Sequence, residues 1–489
     1  MEYISTRGDL RKYSASQAII RGLCEDGGLF VPEQFPTLGM PVGKLVGKGY
    51  KEVAYEVLRL FLTDYTEEEL KDCINKAYDS KFDTELIAPL AKHGDQYFLE
   101  LFHGRTIAFK DMALSILPHL LTCALKKNNI REKVIIMTAT SGDTGKAALE
   151  AFADVENTRI IVFYPKGGVS RIQERQMVTQ RGNNTKVVGV LGNFDDCQSA
   201  VKRMFSDEAL NEELSAAGYR FSSANSINIG RLIPQVAYYA YAYVKMVEMG
   251  AISEGEELNF TVPTGNFGNI LAAFYAKNIG IPVGKLICAS NENKVLYDFF
   301  QTGVYDKNRD FILTTSPSMD ILISSNLERL IYHSLGNDAK ANAALMRDLA
   351  EKGRYEVGSA MKYMDDFAGI WATEDNVKDT IKAVYDKCGY IIDTHTAVAA
   401  FADMKYKDTD NRTSVVVSTA SPYKFMASVL AAIDVSLVSD DDFAMAEELS
   451  KVSKVPIPKA VSDLKGAKIL HDKVCSVEEM KGQVESILV

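Results

Sequence analysis

The stretch TVPTGNFGNILAAF, residues 261–274, decides the fold of this chain. Its first residues end an apolar run typical of a β-strand, and its last residues begin a run typical of a helix. The loop between them contains two glycines and two asparagines, Gly265, Asn266, Gly268 and Asn269. A strand that passes through a short glycine-containing loop into a helix is the building unit of parallel α/β sheets.

Further strand-like runs recur along the chain, each before a helix-like segment. With LNFTVP at 258–263 they are KVIIMTA at 133–139, RIIVFYP at 159–165, KVVGVLG at 186–192, KLICAS at 285–290 and TSVVVST at 413–419. Their continuous apolar character predicts strands that are covered on both faces, and the alternation predicts an α/β fold with a mostly parallel sheet. We expect ligands at the C-terminal ends of these strands.

The two ends of the chain differ from its middle. The first ninety or so residues contain the helical patterns KEVAYEVLRLFL and TEEELKDCINKAY, and DDDFAMAEELSKVSK near the other end predicts a solvated helix. We therefore predict a helical N-terminal extension at 1–95 and a small domain with a candidate lysine and a glycine loop at 96–225. A large domain with the opening stretch follows at 226–430, and a C-terminal helical extension at 431–489.

Bulk composition restricts the class of function. The chain has 489 residues, more than one hydrophobic core usually supports, and 55 Lys+Arg against 65 Asp+Glu, a net charge of -10 that disfavours nucleic acid as a partner. Its seven cysteines show no spacing typical of a metal site or a disulfide framework. With no signal-peptide pattern and no bilayer-length apolar run, we expect a cytoplasmic protein without metal or membrane partners.

The nonapeptide HGRTIAFKD, residues 103–111, contains the candidate for covalent chemistry. Lys110 lies between Phe109 and Asp111 at a predicted helix start. A lysine used in chemistry needs a dry pocket that lowers its pKa or holds it as an imine, and it can then form a Schiff base with an aldehyde cofactor. A Lys-Asp pair alone is more often structural, so its neighbours must decide.

Two loops have the composition of anion sites. In the opening stretch, Gly265 and Gly268 permit close approach of backbone N–H groups, and the helix start adds positive potential, which suits a phosphate. The loop matches neither GxGxxG nor GxxxxGK[ST], which argues against dinucleotides and nucleoside triphosphates. A tight turn without a ligand is the alternative reading.

The second loop, TATSGDTGKAALEAF at 138–152, follows another predicted strand. Its residues either cap the helix or form an anion site suited to a substrate carboxylate; they are Ser141, Gly142, Asp143 and Thr144. An aldehyde that carries a phosphate and binds a lysine is pyridoxal phosphate. Its ring nitrogen needs a partner, and Thr419 at the end of TSVVVST supplies a hydroxyl there unless it simply ends the strand.

Taken together, the motifs resemble the pyridoxal-phosphate-dependent threonine synthases, of the tryptophan synthase β structural type. The resemblance covers nearly the whole chain, through YISTRG, GGLFVPE, HGRTIAFKD, TATSGDTG, NSINIGR, VPTGNFGN, SPSMDILISSNLERL, DTHTAVA and STASPYKF in this order. Related cysteine synthases and threonine dehydratases lack the STRG, SPSMDI and GNFGN set. The resemblance implies PLP fold type II, with mostly parallel sheets in a large and a small domain.

The resemblance also implies residue roles. Lys110 would form the internal aldimine, Thr419 would face the pyridine nitrogen, and Asp143 would lie near the cofactor's phenolic oxygen. The cofactor phosphate would be bound by Gly265, Asn266, Phe267, Gly268 and Asn269. The substrate would be bound by Ser141, Gly142, Thr144, Ser226, Asn228 and Arg231. A guanidinium binds phosphate bidentately, which supports Arg231, although a surface arginine is the alternative.

The implied reaction converts O-phospho-L-homoserine and water to L-threonine and phosphate by γ-elimination and β-hydration, the last step of threonine biosynthesis. Three positions depart from the family pattern: Arg105 in place of a proline, Ser421 in place of a histidine, and Asp143 where some relatives have asparagine. The alternatives are β-elimination or β-replacement on serine-, threonine- or cysteine-type substrates, a non-catalytic homologue, and a structural scaffold. The sequence leaves open whether the chain is a monomer or a homodimer.

Overall fold

The computed structural model describes residues 1–140 and 142–487, with Asp195 described by its backbone alone. The strands, numbered in chain order, are β1 Tyr3–Ser5, β2 Phe30–Pro32, β3 Leu90–His93, β4 Gln96–Glu100, β5 Lys133–Ala139, β6 Thr158–Pro165, β7 Thr185–Leu191, β8 Tyr219–Ser222, β9 Leu258–Pro263, β10 Val283–Ser290, β11 Val304–Asp306, β12 Arg354–Glu356, β13 Phe367–Trp371, β14 Ser414–Ser418 and β15 Val474–Ser476. All six predicted strands are confirmed, to within two residues at each end.

The α-helices, numbered in the same way, are α1 Ala15–Arg21, α2 Tyr50–Phe61, α3 Glu67–Ala77, α4 Asp111–Leu114, α5 Leu117–Lys127, α6 Asp143–Phe152, α7 Arg171–Val178, α8 Phe194–Phe205, α9 Glu208–Ala216, α10 Ile229–Glu248, α11 Gly268–Asn278, α12 Val295–Thr302, α13 Leu327–Ser334, α14 Ala339–Lys352, α15 Glu374–Cys388, α16 Thr394–Tyr406, α17 Met426–Ile433, α18 Asp442–Ser453, α19 Lys459–Ser462 and α20 Met480–Glu485. Short 3-10 turns lie at Val42–Leu45, Pro317–Met319, Gly358–Tyr363, Pro422–Lys424 and Val435–Leu437.

The larger sheet has the strand order β13-β10-β9-β14-β4-β3. Neighbouring strands are parallel except at one edge, where β3 runs antiparallel to β4. The inner strands β9, β10 and β14 are almost completely buried because helices cover both faces, as the apolar runs predict. The C-terminal ends of β4, β9 and β14 therefore meet at one edge of this sheet.

The smaller sheet is wholly parallel, with the order β15-β7-β6-β5-β8. Four of its strands, β5 to β8, lie between residues 133 and 222, and the fifth, β15, belongs to the C-terminal part of the chain. The strand β4, which the sequence analysis places in the small domain, pairs with β14 of the larger sheet. The confirmed fold is a mixed α/β structure in which two mostly parallel sheets share one chain.

Helix α10 is the central helix of the molecule. Its side chains are buried almost all round from Ile229 to Val244, because it packs against α2, α11 and α4. Asn228 caps its first turn by accepting a hydrogen bond from the Gly230 N–H at 2.9 Å. Within the described residues, even this helix is not long and apolar enough to cross a membrane.

The N-terminal extension is mainly helical, but it also contains the antiparallel pair β1 and β2, and its last strand, β3, belongs to the larger sheet. Thr6 and Arg7, from the YISTRG motif, are bound to Glu328 of α13: the Thr6 hydroxyl donates at 2.6 Å, and the Arg7 guanidinium forms a bidentate pair at 2.9 and 2.7 Å. The motif therefore fastens the start of the chain to the helix that follows SPSMDILISSN.

Candidate active site

Lys110 is fixed at the C-terminal ends of β4 and β14. The segment after β4 returns along the end of β14 and is held by backbone hydrogen bonds: the Phe109 N–H donates to the Thr419 carbonyl at 2.8 Å, and the Ser421 N–H donates to the Ile107 carbonyl at 3.1 Å. Lys110 is the residue immediately before α4. The predicted position of this lysine at a helix start is confirmed, and it lies at the ligand-binding edge of a parallel sheet.

The turn before Lys110 is built on the buried carboxylate of Asp111. The carboxylate accepts hydrogen bonds from the Thr106 N–H at 2.7 Å and the Thr106 hydroxyl at 2.6 Å. Gly104 lies against it, and a Cβ there would be 2.5 Å from Asp111 Oδ2. Burial raises the pKa of Asp111 to about 6, although the bonds from Thr106 oppose this shift. Asp111 thus organises the turn that presents the lysine.

Asp143, the first residue of α6, lies between two lysines. Its Oδ1 is 3.0 Å from Lys424 Nζ and accepts from Gln173 at 2.9 Å. Its Oδ2 is 3.7 Å from Lys110 Nζ and accepts from the Ser318 hydroxyl at 3.0 Å. Burial favours protonation, but both lysines and these hydrogen bonds outweigh it, so the pKa of Asp143 is well below its usual range. The site therefore contains a fixed carboxylate anion.

The amine of Lys110 has an altered acidity. Burial lowers its pKa to about 8; the Asp143 carboxylate opposes this, whereas the positive charges of Lys424 and Arg231 reinforce it. About a tenth of the amine is therefore uncharged at pH 7, against less than about a thousandth for an ordinary lysine, and the uncharged form is the one that acts as a nucleophile or a base. Its neighbourhood is dry and mostly cationic.

The GNFGN loop connects β9 to α11 and is tightly constrained. Phe267 adopts left-handed backbone geometry, with φ of 62°, and a Cβ at Gly265 would be 2.6 Å from the Ser318 carbonyl oxygen. The Ser324 hydroxyl donates to the Gly265 carbonyl at 2.7 Å, and the Asn326 side chain donates to the Asn266 carbonyl at 3.0 Å. With carbonyls turned to neighbouring loops, the N–H groups at the start of α11 are available for an anion.

Two buried donors near this loop have no hydrogen-bond partner among the described residues. Asn269 accepts from the hydroxyls of Tyr238 and Tyr239 through its Oδ1, but its Nδ2 is unpaired. Arg231 donates through Nη1 to the Ala224 carbonyl at 2.6 Å, but its Nε is unpaired. Unpaired buried donors cost free energy, and a bound phosphate would satisfy them. The residues present therefore fit a phosphate-bearing cofactor or substrate.

The structure describes three residues of the SGDT loop, Gly142, Asp143 and Thr144, whereas Ser141 lies outside the described residues. Gly142 has a φ of 134°, which favours glycine, and Thr144 is half-buried. The Thr140 hydroxyl, rather than Asp143, accepts from the N–H groups of Gly142 and Gly145, at 3.0 and 2.9 Å. The carboxylate of Asp143 therefore does not cap the helix, and it faces the two lysines instead.

The NSINIGR segment contributes both structural and candidate binding residues. Asn228 is committed to structure, since its side chain donates to the carbonyls of Ile19 and Ser223, at 3.0 and 2.9 Å, besides capping α10. Ser226 is half-buried. Arg231 is 3 % exposed, so the reading of a surface arginine is wrong. Thr419 is buried beside the lysine segment, and its role towards the cofactor's ring nitrogen stays a prediction.

Comparison with known proteins gives the chain its family. A family model for "Threonine synthase N terminus" matches residues 2–78, and one for "Pyridoxal-phosphate dependent enzyme" matches residues 84–421. The threonine synthase of Pseudomonas aeruginosa is 38 % identical over 88 % of this chain and 90 % of its own. This chain belongs to the threonine synthase family of pyridoxal-phosphate-dependent enzymes.

Solved structures agree with this assignment. The crystal structure of PLP-bound threonine synthase from Brucella melitensis superimposes with a TM-score of 0.86 at 35 % identity, covering 100 % of this chain and 98 % of that one. A longer relative, threonine synthase-like 1 of Macaca fascicularis, is 38 % identical over 97 % of this chain. The chain spans about two thirds of that relative's length, 66 %.

In this member of the threonine synthase family, Ser318 joins three of the motifs. Its hydroxyl donates to Asp143, its N–H donates to His395 Nε2 at 3.2 Å, and its carbonyl lies against Gly265. His395 is held in turn by Asp393, whose carboxylate is 2.8 Å from Nδ1. Ser318 and His395 lie within motifs of the family resemblance, but their sequence alone indicates no role for them. The same is true of Lys424, which lies within STASPYKF.

The departures from the threonine synthase pattern have structural explanations. Arg105 is exposed and pairs with Glu150 at 2.9 Å, so its guanidinium is engaged at the protein surface. Ser421 is buried and accepts a hydrogen bond from the Tyr423 N–H at 3.3 Å at the start of the turn that contains Lys424. Asp143 cannot donate a hydrogen bond, and it is used as an anion between two lysines instead.

Proposed function

We propose that this protein is a threonine synthase, which converts O-phospho-L-homoserine and water to L-threonine and phosphate. The observation that carries the proposal is the placement of Lys110 beside a fixed carboxylate and within electrostatic range of Arg231. In addition, two buried donors, Asn269 Nδ2 and Arg231 Nε, lack partners among the described residues. An enzyme that acts on a phosphorylated amino acid with a phosphorylated cofactor needs two such anion sites. Membership of the family, together with this arrangement, supports the assignment.

The cofactor and substrate are assigned to separate groups of residues. The cofactor phosphate is bound by Gly265, Asn266, Phe267, Gly268 and Asn269, where Asn269 Nδ2 and the α11 N-terminus supply donors. Thr419 faces the pyridine nitrogen, and Asp143 lies beside Lys110. The substrate carboxylate is bound by the 141–144 loop through Ser141, Gly142 and Thr144. Arg231 and Ser226 supply donors to the substrate phosphate, and Asn228, whose side-chain donors are already paired, holds the segment that presents them.

When bound, pyridoxal phosphate supplies an electron sink that stabilises negative charge on substrate carbons. The protein supplies the proton transfers. Lys110 Nζ accepts a proton from the substrate Cα and delivers it at neighbouring carbons, since burial and nearby cations lower its pKa to about 8 and so increase the uncharged fraction of the amine. Arg231 holds the phosphate at the γ-position until it leaves, and the buried surroundings limit access of water to the intermediate stages.

The decisive assay measures both products. We expect the cofactor-loaded protein to release inorganic phosphate and threonine from O-phospho-L-homoserine in equal amounts, and Lys110→Ala to lose this activity with unchanged circular dichroism. Rapid deamination of serine without phosphate release would assign the protein to the β-elimination class instead. Loss of the cofactor's visible absorbance band in Lys110→Ala, against a retained band in wild type, would assign the covalent attachment of the cofactor to Lys110, and product formation separates an enzyme from a homologue that binds the cofactor passively.

The cellular setting is also a proposal. All seven cysteines are free in the structure, which supports a reducing cytoplasm. The net charge of -10 supports a small-molecule substrate and no nucleic-acid partner. Cell fractionation tests the location, and light scattering distinguishes a monomer from a homodimer.

The four-part domain division is likewise retained as a proposal, at 1–95, 96–225, 226–430 and 431–489. The four strands β5 to β8 support the small unit, and β9, β10, β13 and β14 support the large one. Three elements cross the division: β3 and β4 join the larger sheet, and β15 joins the smaller one. Limited proteolysis, with cleavage sites mapped by mass spectrometry, tests these boundaries.

A further inference from the structure

Lys424 is a buried cation beside the active lysine. Its side chain is 0 % exposed, and its Nζ lies 3.0 Å from Asp143 Oδ1 and donates to the Thr106 carbonyl at 2.8 Å. It belongs to the 3-10 turn Pro422–Lys424 that directly follows β14. Burying an ammonium group is costly unless it is paired, so a lysine at this position implies a use for its charge.

The carboxylate of Asp143 is shared between the two lysines. Lys424 and Gln173 bind Oδ1, whereas Ser318 binds Oδ2, which faces Lys110 at the longer distance of 3.7 Å. The contact with Lys424 is therefore the closer of the two. With Oδ1 held in this way, the carboxylate cannot turn fully towards Lys110 and form a close ion pair with it.

The charged groups around Lys110 come from four elements. Asp143 faces it from α6, Lys424 from the turn after β14, and Arg231 from α10, while Asp111 in α4 is occupied by Thr106. Among the described residues, the lysine thus has two cations near it, one carboxylate that faces it, and a second carboxylate, Asp111, that is bound to Thr106 instead. The positive charges of Lys424 and Arg231 disfavour a further ammonium group at Lys110, whereas Asp143, whose nearest partner is Lys424, favours it.

We propose that Lys424 is a positioning residue that holds Asp143 by one oxygen and, as a fixed positive charge, weakens proton binding by the Lys110 amine, so that more of this amine is uncharged and able to accept a proton. The proposal rests on the proposed function, because it gives that amine its task. Lys424 itself touches neither the reacting carbons nor the cofactor in this assignment. It acts through Asp143 and through its charge.

The test measures the ionisation of Lys110 directly, without substrate. Full-length protein freed of cofactor is labelled with trace acetic anhydride between about pH 6 and 11, and mass spectrometry follows acetylation of Lys110. In Lys424→Met we expect the midpoint of the labelling profile to rise by about one pH unit or more, so that labelling at pH 8 falls roughly fivefold or more. Lys424→Arg keeps the charge and should keep a profile close to wild type.

The comparison separates positioning from mere structure. A purely structural role would lower the melting temperature of Lys424→Met without moving the midpoint, and a folded Lys424→Met with the wild-type midpoint overturns the proposal. If that variant does not fold, Asp143→Asn decides: with the anion gone and Lys424 kept, the midpoint should fall below wild type, and an unchanged midpoint overturns the proposal. The double variant Asp143→Asn/Lys424→Met should return the midpoint towards wild type.

Failure of the proposed function is visible separately. If the protein gives the expected labelling profiles but releases no phosphate from O-phospho-L-homoserine, the proposed effect of Lys424 on Lys110 holds and the proposed reaction is wrong. Conversely, if the protein forms threonine but Lys424→Met has the labelling midpoint of wild type, the proposed function holds and the proposed role of Lys424 is wrong.

Discussion

At the scale of single residues, the site depends on the absence of a side chain at Gly265. A Cβ there would be 2.6 Å from the Ser318 carbonyl, a backbone atom that cannot move without displacing the loop that also contacts Asp143 and His395. We expect Gly265→Ala to lower cofactor affinity at least tenfold and to destabilise the fold by about 1–3 kcal/mol. Cofactor titration by visible absorbance and thermal unfolding measure the two effects.

Gly482 provides the matched control for this substitution. It lies in α20, and a Cβ there would meet nothing within 4 Å. Gly482→Ala should leave cofactor affinity unchanged and stabilise the helix slightly, by roughly 0.5–1 kcal/mol. An alanine at 265 that binds cofactor as tightly as wild type would mean that the GNFGN loop does not require its observed geometry.

His103 predicts a pH dependence of stability. Its ring lies 2.6 Å from Asp83 and 2.9 Å from Glu100. Burial disfavours its charged form, but the two carboxylates outweigh this and raise the pKa of His103 to about 9. Because this pKa is above the ordinary value of about 6.5, the stabilisation is fully present below pH 6.5 and is lost as the pH rises through 9.

The expected loss between about pH 6.5 and 9 is 1–2 kcal/mol, after allowance for the solvent exposure of Asp83. Urea unfolding of wild type and His103→Gln across this range checks it. Glutamine does not titrate, so the difference in unfolding free energy between the two proteins should shrink as the pH rises. A difference that stays constant across the range would show that His103 does not carry the extra proton.

At the scale of elements, Asn228 fixes the start of α10 to the N-terminal extension. Its side chain makes three hydrogen bonds to buried backbone groups, those of Gly230, Ile19 and Ser223. We expect Asn228→Ala to destabilise the protein by about 2–3 kcal/mol in urea unfolding, because two carbonyls and one N–H lose their partner. The exposed cap Thr66, which accepts from the Glu69 N–H at 3.2 Å, is the control, and Thr66→Ala should cost about 1 kcal/mol.

This pair of variants also tests the role that the family resemblance gives to Asn228. A rise in KM for O-phospho-L-homoserine with unchanged unfolding free energy would assign its side chain to substrate binding. A loss of stability in the cofactor-free protein, larger than that of Thr66→Ala, would assign it to the fold.

The sequence predicts elements well where local patterns and tertiary structure agree. KVIIMTA and LNFTVP are strands over the predicted residues, because fully buried parallel strands have continuous apolar runs. The strands β4, β8 and β13 were missed, because QYFLE, YRFS and FAGIW are short and mix half-buried with buried positions. Their pairing depends on distant partners, such as Val415–Ser418 for β4, which no local pattern contains.

The candidate site divides in the same way. Lys110 and the GNFGN loop are recognisable, because a lysine between Phe109 and Asp111 and a glycine loop before a helix are local signals. Lys424 and Ser318 are not, since their importance arises only when β14 and the 317–319 turn bring them to Asp143. A lysine in YKF has the same local pattern whether it is exposed or, as here, completely buried.

At the scale of the whole molecule, the C-terminal segment connects the two sheets. Helix α18 packs on α17, beside the larger sheet, and the chain then bonds to α7, where the Arg175 side chain donates to the Leu464 carbonyl at 2.9 Å. It ends by adding β15 to the edge of the smaller sheet beside β7. Because this edge would otherwise present unpaired backbone groups, the segment both links the sheets and protects an edge.

Met480 in α20 is the means of testing this arrangement. Its side chain is 1 % exposed and packs with Cys475 and Val484 against the outer face of the smaller sheet. Met480→Ala should cost about 2–4 kcal/mol of local stability through the cavity it leaves. Hydrogen exchange should then show faster exchange of the amides of β7 and β15, while those of β9 and β14 keep their protection.

The half-exposed Val474 in β15 is the matched control, and Val474→Ala should change exchange in β7 little, since its side chain is 45 % exposed. If Met480→Ala instead accelerates exchange in β7, β9 and β14 equally, the two sheets unfold as one unit and the C-terminal segment couples them completely. If exchange rises in the smaller sheet alone, each sheet has its own stability. The site is then completed by two units that open separately, one with Asp143 and the other with Lys110 and Lys424.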